Sequence, residues 1–262
     1  MSRIGLSTSS VYPEGTARAF AYATKVGYDA VEVMVGIDSL SQNIPAVKQL
    51  VEHHEIPVTA VHAPCLLFTQ RVWGIDPWGK LERSAEMAHE LGAGVVVVHP
   101  PFRWQKEYAA GFADGIAALE SSTGLAYAVE NMYPWRAAKR GMGMYLPEWD
   151  PTLGDYENIT IDLSHASIAG DDVVEMATRA GSRLRHVHLT DGTGSAKDEH
   201  MIPGRGTMGA DRFLRHIAAA GFDGEIILEI NTRKASPGES REAELREALE
   251  FAREHFRRVP CS

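Results

Sequence analysis

Eight short, nearly continuous apolar runs punctuate the chain: Ile4–Thr8, Ala30–Val35, Val58–His62, Gly94–His99, Leu125–Glu130, Ile159–Leu163, Leu184–Leu189 and Glu225–Ile230. Unbroken apolarity, in place of strict alternation, predicts strands buried on both faces, as in parallel sheets. Between them, apolar residues recur three to four positions apart. That period predicts helices over Thr16–Val26, Ile44–His54, Leu81–Leu91, Tyr108–Ser121, Asp171–Ala180, Ala210–Ala220 and Arg241–Phe256. Gly27, Gly92, Gly181 and Gly221 stand where helices stop. Asn131–Glu157 breaks the rhythm: it is rich in Met, Tyr and Trp, shows no helical period and reads as an irregular excursion. Strands alternating with helices in this way predict a single (β/α)₈ barrel over residues 1–262, its fifth β–α connection enlarged.

Composition narrows the function classes. The 262 residues fit one α/β barrel, and 44% hydrophobic with 23% charged residues excludes a disordered or fibrous chain. A formal charge of −9 argues against general binding to nucleic acid or anionic membranes. No apolar run approaches the ~18 residues of a membrane span. Cys65 and Cys261 are too few for a disulfide framework or zinc ribbon. With a start that runs straight into a strand, the expected setting is the cytoplasm; a homo-oligomer stays open.

The chemistry-bearing residues sit where strands end. His62, His99, Glu130, Asp162 and Glu229 each close an apolar run or nearly so; His188 lies near the end of another, and His165 follows Asp162 by three positions. In a barrel, all strand C-termini meet at one mouth, where active sites form. Unpaired carboxylates buried together cost several kcal/mol each unless cations neutralise them, so a metal centre is the economical reading. Asp198 and His200, in the loop after the seventh run, are a further candidate pair. His53, His54, His89, His216 and His255 fall on helices and are expected to be solvated; His186 is read as structural. Gly204–Gly209 spells GxGxxG, but no strand immediately precedes it, so a dinucleotide site is rejected. Backbone N–H groups there could still seat an anion.

Gly27-Tyr28-Asp29-Ala30-Val31-Glu32, together with these acids and histidines, resembles the xylose isomerase-like barrel superfamily, over nearly the whole chain. That superfamily holds sugar isomerases and epimerases and the endonuclease IV type of abasic-site nuclease. The isomerase branch implies one divalent metal on Glu130, Asp162, His188 and Glu229. The nuclease branch implies three zinc ions, adding His62, His99, His165, Asp198 and His200. Where that branch carries a bulky Tyr-Leu wedge, Cys65-Leu66 stand here, and the loop beginning Gly36-Ile37-Asp38 lacks its Arg. A flipped nucleotide needs such a filler, because lost stacking costs a few kcal/mol.

The resulting expectation is an isomerase or epimerase acting on a small sugar or sugar phosphate. Glu130 and Glu229 would transfer protons, with His165 orienting substrate. One to three ions of Zn²⁺, Mn²⁺, Co²⁺ or Mg²⁺ suit the mixed donors. The alternatives are a trinuclear phosphodiesterase and an inactive sugar-binding barrel. Aromatic residues after the third to fifth runs, among them Phe68, Trp73, Trp78, Trp104, Tyr133 and Trp149, read as loop packing or as a pocket wall. Arg103, Trp104 and Arg205 are candidate substrate contacts, with Arg136 a further phosphate partner.

Overall fold

Every apolar run forms a parallel strand in the computed structural model, which describes residues 3–137 and 140–257; side chains 135–137 and 140–142 are not described, so Trp135 and Arg136 lie outside it, as does Cys261. The strands are β1 (Ile4–Ser7), β2 (Ala30–Met34), β3 (Val58–His62), β4 (Val95–Val98), β5 (Ala126–Glu130), β8 (Ile159–Asp162), β9 (Leu184–Leu189) and β10 (Glu225–Leu228). They pair in that order and β10 returns to β1, closing the expected barrel. Between β5 and β8 the described residues form no α-helix but a two-stranded antiparallel sheet, β6 (Trp135–Ala137) and β7 (Arg140–Met142), then a 3-10 turn at Pro151–Leu153. This is the irregular fifth connection.

The helices are α1 (Thr16–Val26), α2 (Ile44–His54), α3 (Pro77–Leu91), α4 (Lys106–Ala110), α5 (Phe112–Thr123), α6 (Leu163–Ala169), α7 (Val173–Ala180), α8 (Ala210–Ala219) and α9 (Glu239–His255). Three differ from the sequence reading. α3 starts four residues early because Asp76 accepts from the N–H groups of Trp78 and Gly79, and Pro77 suits the first turn. The expected Tyr108–Ser121 helix splits at Gly111 into α4 and α5. α6 was not expected: Asp162 ends β8 and caps the helix, accepting from His165 N–H at 2.8 Å.

Packing explains why the polar residues gather at one end. Ala60, Val95, Val97 and Ala128 form a small apolar cluster of their own, while Val96, Val98 and Val129 join the main core with the helices. Gly5 leaves room for a neighbour: a Cβ there would meet Ile227 Cδ1 at 2.5 Å. Register aligns Asp162 with His188 and Ile227 with His188, so β8 and β9 present their ligands at one level. His186, two residues before His188, shares its face one layer deeper. Among the described residues, no helix is long and apolar enough to cross a membrane.

Candidate metal centre

The six strand-end residues converge. His188 Nδ1 stands 3.1 Å from Glu130 Oε1, 3.0 Å from Glu229 Oε2 and 3.7 Å from Asp162 Oδ2. One ring nitrogen cannot hydrogen-bond three carboxylates well. The second carboxylate oxygen of Glu130 faces two imidazoles: His62 Nε2 at 3.2 Å and His99 Nε2 at 3.0 Å, themselves 3.2 Å apart. On the far side His165 Nε2 lies 3.4 Å from Asp198 Oδ2, and His200 Nε2 3.0 Å from Asp198 Oδ1. Asp198 and His200 therefore do join the mouth, as the loop spacing suggested.

Three groups of donor atoms result: His62, His99 and Glu130; Glu130, Asp162, His188 and Glu229; and Asp162, His165 and His200, the donors within each group lying within 4.8 Å of one another. Ligands about 2.0–2.1 Å from a tetrahedral ion stand roughly 3.3 Å apart, close to the separations in the first group. Asp162 Oδ2 is buried without a hydrogen-bond partner. Converging nitrogens, converging carboxylates and an orphaned oxygen all fit a divalent cation.

The charges say the same. Burial opposes ionisation of Glu130, yet His188 and His99 hold its carboxyl well below the usual range. Glu229 is likewise brought down to about 2, chiefly by His188 against burial. Burial pushes down His188, His165 and His200, but facing carboxylates reverse this: the first two rise well above an ordinary imidazole, and His200 rises to about 10. Asp162 rises, since burial outweighs its histidine neighbours, and burial lowers His99. The raised imidazoles and depressed carboxyls favour positive charge among these groups.

Sequence reasoning missed the support behind these donors. Glu32, buried on β2, faces His188 Nε2 at 3.1 Å and His186 Nε2 at 3.0 Å. Its carboxylate is placed to accept from His188 Nε2, which would leave Nδ1 free to offer its lone pair to an ion. A glutamate inside Ala-Val-Glu-Val-Met was the available signal. Glu32, His186 and His188 also form a compact donor group. Asn131 brackets Asp162, donating to its carbonyl at 3.0 Å and accepting its N–H at 2.7 Å, while the Asn131 carbonyl lies 2.9 Å from His165 Nδ1. Ser9 donates to Glu229 Oε1 at 3.2 Å.

Other expected residues land elsewhere. The anion at the GxGxxG glycines is the protein's own: Asp191 accepts N–H groups from Gly192, Gly204, Gly206 and Met208 at 2.9–3.1 Å. Arg205 requires correction. Its guanidinium donates to Glu247 at 2.8 Å and Glu244 at 3.3 Å on α9, so it is spent on an exposed ion-pair network. Trp104 stacks on Phe102 and lines a cavity of about 250 Å³ beside His99 and Lys80; Arg103 is exposed nearby. Tyr133 packs against His165, and Phe68 lines a larger cavity of about 540 Å³ that opens on Glu229 and His200. Trp73 and Trp78 pack against the core, and Met144 and Trp149 against Phe102, Met132 and Tyr145. The five helix histidines are exposed or half-buried.

Comparison with known proteins places the chain among relatives of the same fold. An uncharacterised protein of Mycobacterium tuberculosis, Rv0498, is 47% identical over 98% of both chains. Fructoselysine 3-epimerase of Escherichia coli O157:H7 is 22% identical over 82% of this chain and 85% of its own. The crystal structure of a D-tagatose 3-epimerase-like protein superposes with a TM-score of 0.70 at 25% identity, covering 96% of this chain and 98% of that one. Escherichia coli 3-keto-D-glucoside 4-epimerase, YcjR, reaches a TM-score of 0.70 at 18% identity over 97% and 100%, a likeness of fold. Residues 20–255 match the family model described as xylose isomerase-like TIM barrel, and the chain belongs to that family.

Proposed function

We propose that this protein is a divalent-metal-dependent isomerase or epimerase of a small sugar or sugar derivative. One observation carries the reading: Glu130 at the end of β5 and Glu229 just past the end of β10 bring their carboxylates within 3.1 and 3.0 Å of the same His188 nitrogen, and Glu229 lines a cavity of about 540 Å³. Glu130, Asp162, His188 and Glu229 would hold the ion. Bound there, a divalent cation supplies Lewis acidity that makes a proton beside a carbonyl easier to remove. Glu130 Oε1 or Glu229 Oε2 accepts that proton from carbon, and the other carboxylate returns one. General acid–base work of this kind contributes about 10²–10⁴-fold. His165, held by the Asn131 carbonyl, orients substrate oxygens. The D-tagatose 3-epimerase-like structure and the fructoselysine 3-epimerase relative support the sugar class.

A second reading rests on a specific observation: His62 and His99 flank Glu130, and His165, Asp198 and His200 form another donor group. Three ions would suit a phosphodiester substrate, and Glu130 would then serve as a shared ligand and not as a base. Metal counting and activity separate the readings. Protein prepared without chelator is incubated in D₂O with ketohexoses and Mn²⁺, Co²⁺ or Zn²⁺, and in parallel with an abasic-site duplex. Deuterium in the product carbon, lost in Glu229→Gln and Glu130→Gln, supports proton transfer. Metal-dependent nicking with no exchange on any sugar overturns it.

A further inference from the structure

The lining of the larger cavity has an unequal charge inventory. Beside Glu229 and His200 it includes Glu14, Asp38 and Arg233. Two of these are already engaged. Asp38 accepts the N–H groups of Thr16 and Leu40, at 2.8 and 3.1 Å. Glu14 is paired with Arg18, hydrogen-bonded to Tyr22 and paired with the buried Arg241. Arg233 differs. Its guanidinium lies over the Tyr12 ring, 4.4 Å from the centroid, and among the described residues no carboxylate pairs with it. Arg233 is exposed and stands at the wall of this cavity, in a chain of net charge −9.

Stacking matters here. A guanidinium resting over an aromatic ring loses some of its freedom before it binds, and its N–H groups stay available as a planar fork. That fork matches a carboxylate or a phosphate bidentately. The cavity lining thus holds both the outer members of the carboxylate–imidazole cluster, Glu229 and His200, and an exposed cation, Arg233. Met34, Ile37, Phe68 and Ile230 supply apolar lining.

We propose that Arg233, braced by Tyr12, is a specificity subsite for an anionic group on the substrate away from the reacting carbon, a phosphate ester or a carboxylate. The proposal rests on the isomerase or epimerase reading of the same site. It selects, within the sugars, those with an acidic tail over neutral ones. Exposed charge pairs weaken with salt, so the preference should fall as ionic strength rises.

The test compares D-fructose, D-fructose 6-phosphate and D-fructuronate on wild type, Arg233→Met and Arg233→Lys. In wild type the anionic probes should bind tighter than fructose, the better of the two identifying the group. Arg233→Met keeps the stem and removes the charge. It should cut the ratio of anionic to neutral binding by about tenfold, chiefly through KM where turnover is measurable, with Arg233→Lys intermediate. Calorimetric binding to metal-supplemented protein gives the same ratio without turnover. Arg233-dependent binding with no turnover of any sugar would retain the subsite while counting against the isomerase reading. Turnover or binding with equal preference in wild type and Arg233→Met would overturn the subsite.

Discussion

At the residue scale, the centre depends on which His188 nitrogen carries the proton. Glu32 stands 3.1 Å from Nε2, placed to accept there once an ion takes the other nitrogen, which faces Glu130 and Glu229. Glu32→Gln is nearly isosteric but replaces one of the two carboxylate oxygens that face His188 Nε2, at 3.1 and 3.3 Å, with an N–H donor. The His188 contact is then weakened or turned against the ring. Removing such a supporting partner typically lowers metal affinity 10–100-fold, and we expect a loss of that size by competitive titration with a chelating dye, with Glu32→Asp recovering part of it. Unchanged affinity in Glu32→Gln would show that the ring is oriented by packing alone. Glu130, Asp162 and Glu229 were legible as candidates because a charge ending an apolar run is conspicuous, and His188, one position short of its run's end, joined them as a proposed ligand through the resemblance. Glu32 was less so: it sits mid-strand, and its partners lie on β9, more than 150 positions away in the chain.

At the scale of elements, the loop from β9 to α8 brings Asp198 and His200 to the mouth, and one carboxylate organises it. Asp191 gathers four backbone N–H groups, and Gly206 must be glycine for the chain to approach, since a Cβ would come within 2.4 Å of Asp191 Oδ1. Unpaired buried donors cost about 1–3 kcal/mol each, though part of this loop can rehydrate. Asp191→Ala is therefore expected to lose about 3 kcal/mol of stability, read from denaturant midpoints, and to lower the metal content while β5, β8 and β10 keep their ligands. A variant with wild-type stability and metal content would show that the loop is held elsewhere. Strand positions were readable to within a residue or two because apolarity marks them directly. The start of α3, the break at Gly111 and the existence of α6 were not, since capping by Asp76 and Asp162 and the bend at Gly111 carry no apolar period. Arg205 was misread for a related reason: its partners, Glu244 and Glu247, lie on α9, about forty residues further along.

At the scale of the whole molecule, stability should report the ion through pH. In the metal-free protein, Glu229 and Glu130 are depressed, so their stabilisation is present above an ordinary carboxyl value near 4.5 and is lost as pH falls, for Glu229 toward about 2. His200 is raised to about 10, and His188 and His165 are raised well above their ordinary 6.5. Their stabilisation is complete below 6.5 and drains away as pH climbs, for His200 toward about 10. These directions predict that the metal-free barrel is most stable in mildly acidic solution. On the proposed metal-dependent reading, a divalent ion would displace those imidazole protons, so its affinity would rise with pH. At a hundredfold excess over Kd, an ion adds about 2.7 kcal/mol to stability, so the gap in Tm between metal-loaded and chelator-treated protein should widen from pH 6 to pH 8.5. The loaded protein should hold its Tm over that range while the chelated protein falls. A gap that stays constant or narrows would mean that His165, His188 and His200 are not exchanging protons for metal, and the centre would have to be assigned to other groups.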